Sequence, residues 1–97
     1  MIPVAESIIV KEFVCVRVSK SVTRNANASY SEEIVTYDRP SGYKVVSVTT
    51  TMQSSEFMHP LLVYIGNTEG KLTYMINNTH SVSLTRYLIA NVILQKS

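Results

Sequence analysis

The chain is expected to be all-β, an antiparallel β-sandwich of about six or seven strands, with an OB-like barrel as the alternative. Three observations lead there. Apolar and polar residues alternate along most of the chain, as successive side chains of a strand do when they point to opposite faces. The last stretch shows it best: Leu84, Leu88, Ala90, Val92 and Leu94 share one parity, and Tyr87, Ile89 and Ile93 the other. The alternation is broken at roughly ten-residue intervals by Gly, Pro, Asn or Ser, the spacing of short strands joined by turns. Ser and Thr make up about a fifth of the 97 residues, which suits outward strand faces rich in hydroxyls.

The first strand is expected over Ile8 to Ser19, with Val10, Val14, Val16 and Val18 on one face and Ile9, Phe13 and Cys15 on the other. Both faces are partly apolar, as for a strand packed on a core and against a neighbouring subunit. The density of β-branched residues argues against a helix at Ala5 to Phe13. Asn25 to Ser29 reads as a polar, mobile loop without apolar anchors. Tyr30 to Tyr37 is the second strand. It ends at Asp38-Arg39-Pro40-Ser41-Gly42, where Pro presets φ and Gly accepts a positive φ.

Tyr43 to Met52 follows, and Gln53 to Phe57 is a polar connection. His59-Pro60 opens the next strand, a position where Pro is tolerated. Leu61 to Ile65 is apolar on both parities and reads as central in its sheet. Gly66 to Gly70 is a hairpin loop, Leu72 to Ile76 returns, Asn77 to His80 turns again, and Ser81 to Leu94 closes the fold. No repeat or linker interrupts the chain, so residues 1–97 are expected to form a single β-sandwich domain that buries roughly 60–70% of its unfolded surface.

Composition narrows the function classes. A net charge of +2, with Lys and Arg scattered, makes nucleic acid an unlikely partner. Arg17, Lys20 and Arg24 lie close together and read as a solvated strand end. A charged fraction of 16% leaves a surface able to meet another subunit. The single cysteine, Cys15, has no intramolecular partner and reads as a buried structural thiol. The first residues lack the basic and apolar regions of a signal peptide, and no apolar run reaches the ~20 residues of a membrane helix. Manufacture in the cytosol, with retention there or release by lysis, is the expected course, and no membrane insertion is expected.

Catalytic groups do not converge. Glu32 and Glu33 are adjacent and in a strand must point to opposite faces. His59 and His80 lack metal-ligand spacing, and no phosphate-binding loop or nucleophile elbow occurs. The expectation is a protein without catalytic residues, metal or cofactor. Binding is easier to derive. Tyrosines are amphipathic plates, and Tyr43 and Tyr74 are candidates to contact a ligand. The best polar cluster is Asn77, Asn78, Thr79 and His80, whose amides, hydroxyl and imidazole could meet sugar hydroxyls. A second is Ser54, Ser55, Glu56 and His59. Turn chemistry accounts for the same asparagines without a ligand.

From Pro40 to Leu94 the order of elements carries a resemblance. Pro40-Ser41-Gly42-Tyr43 leads into Val45-Val46-Ser47-Val48, a later strand ends at Gly66-Asn67, and Asn77-Asn78-Thr79 precedes Tyr87 to Leu94. This resembles the small β-sandwich domains of phage baseplate, tail-fibre and related structural proteins, whose fold is similar to the H-type lectins. The chain has no Trp, so the Trp often found in the lectins' sugar pocket has no counterpart. The resemblance implies a homotrimer, or a hexamer of paired trimers, resident in the virion, docked on other virion proteins or holding a cell-surface carbohydrate. The expected function is thus a non-catalytic, self-associating structural or adhesion module. Alternatives are a lectin proper and a single-stranded nucleic-acid binder of the OB type.

Overall fold

A computed structural model describes residues 12–54, 56–66 and 69–97. These residues form six strands: β1 (Phe13–Arg24), β2 (Ser31–Thr36), β3 (Tyr43–Met52), β4 (Pro60–Gly66), β5 (Lys71–Ile76) and β6 (Leu84–Lys96). They lie in two antiparallel three-stranded sheets, one ordered β1-β6-β3 and the other β2-β5-β4. The two sheets are separate and stack as a sandwich, so the all-β sandwich expected from the alternation is what forms. Contacts between the sheets' outer strands place β1 over β2 on one flank and β3 over β4 on the other.

Parity decides what each strand buries. From β6, Leu88, Ala90, Val92 and Leu94 face inward, and from β5, Leu72, Tyr74 and Ile76 meet them. Val22, Val35, Tyr37, Met52 and Met58 complete the buried core. Inside it the Tyr74 hydroxyl and Thr50 Oγ1 are 2.6 Å apart, a hydrogen bond that ties β5 of one sheet to β3 of the other.

Two strands carry one extra residue. On β3, Val45 pairs with Leu94 and Ser47 with Ile93, leaving Val46 outside the ladder. On β4, Leu62 pairs with Tyr74 and Tyr64 with Thr73, leaving Val63 outside. Each bulge shifts the parity by one, which is why Val45 and Val48 can both face the core.

Turns follow their residues. The Tyr43 amide donates to the Pro40 carbonyl at 3.3 Å across a turn in which Gly42 has φ of 82°. Gly70, at φ of 63°, closes the β4–β5 hairpin and presses on the Tyr37 backbone, where a Cβ would collide with the Tyr37 carbonyl oxygen.

The β1/β2 flank is closed by charge. Lys20 Nζ lies 2.6 Å from Glu33 Oε2, and Arg24 Nη1 lies 3.0 Å from Glu33 Oε1. The same two cations donate to backbone carbonyls of the neighbouring sheet, Lys20 to Ile34 and Arg24 to Ser31, Glu32 and Ile76. Glu32 points to solvent and Glu33 into this cluster, the opposition their adjacency requires.

Several expectations are corrected. Leu61 to Ile65 belong to an edge strand, not a central one, because a bulge and a free edge expose both parities. Cys15 is exposed, since its parity on β1 is the outer face of the sheet. Arg24 is enclosed by the Glu33 cluster rather than solvated. The Asn25–Ser29 loop is anchored, with the Asn27 amide donating to the His80 carbonyl and the Asn78 amide to that of Ala28. The first strand runs on to Arg24; its expected start at Ile8 to Val10 lies outside the described residues. The closing strand starts at Leu84 and reaches Lys96.

Burial pushes the Glu33 carboxyl up, but the hydrogen bonds and charges of Lys20 and Arg24 outweigh it and hold it below its ordinary value. The folded state then binds fewer protons here than the unfolded one. The stabilisation is present above the ordinary carboxylate value and is lost as pH falls through the folded value. Urea midpoints measured downward from pH 6 should fall below about pH 4.5, and Glu33→Gln should flatten that acid limb.

Candidate functional site

The residues singled out as binding candidates do not form one site. Tyr43 pairs with Lys96 at one end of the sandwich, whereas Asn77 to His80 precede Leu84 at the other. The thirteen-residue β6 between them spans about 40 Å. Tyr43 is half-buried, and its hydroxyl donates to Glu12 Oε2 at 2.8 Å. That hydrogen bond to a carboxylate, with lesser help from desolvation, raises the phenol above its ordinary value. Tyr74 is wholly buried and engaged with Thr50.

The four loop residues do come together, and their polar atoms turn inward. Asn78 is wholly buried. Its Nδ2 group donates to the carbonyls of Arg24, Asn25 and Val82 at 3.2, 3.0 and 3.0 Å, and its Oδ1 accepts the His80 amide at 2.9 Å. Asn77 Oδ1 accepts the His59 amide at 3.0 Å and lies 3.1 Å from His59 Nδ1. Thr79 donates to the Phe57 carbonyl from both its amide and its hydroxyl. His80 Nδ1 accepts the Val82 amide at 3.1 Å, and its ring stands edge-on to Phe57 at 4.2 Å. Three loops are therefore locked at one end of the sandwich. This is the turn chemistry that short polar side chains perform on neighbouring backbone. Of the second polar cluster, Glu56 and His59 are exposed, and Ser55 lies outside the described residues.

Among the described residues no group of three His, Cys, Asp or Glu side chains is placed to hold a metal ion. The surface that stands out instead is the β3/β4 flank. On β4, Leu61, Val63, Tyr64 and Ile65 are 37% to 56% exposed, and Val46 is exposed on β3, the strand that stacks against β4. Leu61 and Tyr64 project from the outer face, Val63 from the bulge, and Ile65 from the inward parity at the strand's end. No residue of β4 carries charge, and β3 has only Lys44. At the hairpin end the Tyr64 hydroxyl donates to Glu69 Oε1 at 2.6 Å, and Lys71 Nζ sits 6.0 Å from its ring centroid. The apolar strip thus ends in a small polar rim.

Edge strands are usually blunted by charge, because their free N–H and C=O groups invite another chain. Here β1 carries Arg17, Lys20 and Arg24, and β2 carries Glu32 and Glu33. The two bulges on β3 and β4 interrupt their backbone ladders instead. They disfavour strand-to-strand addition while leaving the apolar side chains outermost. What this flank can do chemically is pack against another apolar surface. The flank was half legible in sequence: apolar residues on both parities marked Leu61 to Ile65, and only the strand order shows that they face outward.

Asn78→Ala should lower unfolding free energy by about 3 kcal/mol in urea, because it removes a wholly buried amide that ties the end of β1 and the β1–β2 loop to the β5–β6 loop. No protein-family model, curated protein or solved structure matches this chain, and the β3/β4 flank stands as its candidate interaction surface on geometry alone.

Proposed function

We propose that this chain is a non-catalytic structural module that assembles with copies of itself through the β3/β4 flank. The observation that carries the reading is β4, an edge strand with four exposed apolar side chains and no charge. These side chains form an uncharged apolar strip, and the largest exposed apolar patch of a monomer is often a functional surface. A standard interface takes about 800 Å² per partner and has an apolar core within a polar rim. The strip supplies that core, and Glu69 and Lys71 supply part of the rim. Because the strip holds no charge to be complemented, an identical strip is a suitable partner for it.

The setting is a virion, as the resemblance to phage baseplate and tail-fibre domains implies, with a trimer as the assembly and other virion proteins as neighbours. Adhesion to a host glycan through the Asn77–His80 loop draws no support from the geometry, since the loop's amides are engaged within the chain.

Light scattering coupled to gel filtration at micromolar concentration should give a mass of at least two chains. The double variant Leu61→Lys and Val63→Lys, which places charge on the strip, should give a monomer with an unchanged β-type circular dichroism spectrum. A wild-type chain that runs as a monomer up to high micromolar concentration would contradict the reading.

A further inference from the structure

The opposite flank holds a feature that self-association through β3/β4 does not use. β1 has twelve residues and β2 only six, so β1 runs past the end of β2 at Thr36. There a groove of about 330 Å³ opens, lined by Val16, Arg17, Val18, Thr36, Tyr37 and Asp38.

Three features mark the open side of this groove. Val14, Val16 and Val18 have the inward parity of β1, yet they stay half-buried, whereas Val22 further along the same face is fully covered. Tyr37 is 9% exposed, and its hydroxyl has no hydrogen-bond partner among the described residues. Buried hydroxyls almost always have a partner. Arg17 and Asp38 form no ion pair among the described residues. Tyr37 is not loosely placed: its amide donates to the Gly70 carbonyl at 2.9 Å, and Gly70 packs on its carbonyl.

The backbone adds a fourth observation. Among the described residues β1 pairs only with β6, so its other edge is free along this groove. Further down the flank, Lys20 and Arg24 reach across to carbonyls of β2 and β5 and close the seam. The open length is therefore confined to the Val14–Val18 end.

We propose that this flank binds an extended peptide segment of another protein, added as a strand along the free edge of β1 at Val14–Val18. An extended main chain supplies the N–H and C=O row that a free strand edge lacks. Apolar side chains at alternate positions of that segment cover Val16 and Val18, and an oxygen of the segment accepts the Tyr37 hydroxyl. Arg17 and Asp38, opposite in sign, favour a segment that carries both a carboxylate and a cation. A small apolar molecule would leave the Tyr37 hydroxyl unpaired. A sugar would leave the valines uncovered and the strand edge unmatched.

The test is selection of binders to the intact protein from a displayed library of random dodecapeptides. Enriched peptides should alternate apolar and polar residues, and on titration should shift the amide signals of β1 and slow its amide exchange. Tyr37→Phe should weaken these peptides by about tenfold, the loss of one hydrogen bond. Its melting temperature should be unchanged or higher, because the hydroxyl has no partner among the described residues. The Leu61→Lys, Val63→Lys variant should bind the peptides as the parent does. A wild-type chain that runs as a monomer and still captures them would overturn the assembly reading and keep this one. Failure to enrich any peptide over the bare support would overturn it. So would enriched peptides indifferent to Tyr37→Phe or mapping to β4, or a marked fall in melting temperature for Tyr37→Phe.

Discussion

The structure depends on how six strands are divided. Among the described residues, two sheets of three strands have only two members paired on both sides, β6 and β5, and the other four strands are edges. Every edge is a row of backbone groups that must be paired, covered or made unattractive. On β1 and β2 the solution is ionic: Lys20 and Arg24 bind Glu33 and at the same time take carbonyls of Ser31, Glu32 and Ile34. On β3 and β4 it is geometric, through one bulge on each strand. The two flanks of one sandwich are thereby given opposite characters, one charged and one apolar.

That asymmetry explains why polar chemistry gathers where it does. The carboxylate of Glu33 is drawn inward because two cations from β1 sit opposite it, and it joins the sheets as the Tyr74–Thr50 hydrogen bond does in the core. The asparagines of the β5–β6 loop hold the end of the sandwich where three connections meet. Polar groups so occupied have little left for a ligand. Leu61, Val63 and Ile65 of β4, by contrast, stand exposed and outside the core cluster.

Period-two alternation made the fold class legible, and it put Leu88, Ala90, Val92 and Leu94 on one parity, which the structure shows to be the buried face of β6. It could not resolve β4. An apolar run on both parities looks the same whether the strand is buried on both faces or is a bulged edge with side chains turned outward, and only the strand order separates the two. Cys15 failed for a related reason. Its parity was readable, but with Phe13 and Ile89 on the outer face too, composition did not say which face met water. The Arg24–Glu33 pair required the knowledge that β1 stacks over β2, which no local pattern contains. The asparagines were visible as a cluster, and their inward orientation follows from the loops they bind, all distant in sequence.

The central claim is that the uncharged β3/β4 flank, and not the ionic flank, is where copies of this chain meet. Hydrogen–deuterium exchange followed across a dilution series from high to low micromolar concentration tests it most directly. Peptides covering Tyr43 to Met52 and Pro60 to Gly66 should lose protection as the protein is diluted, while those covering β2 exchange at a constant rate. Concentration-dependent protection confined to β1 and β2, or none anywhere, would contradict the account.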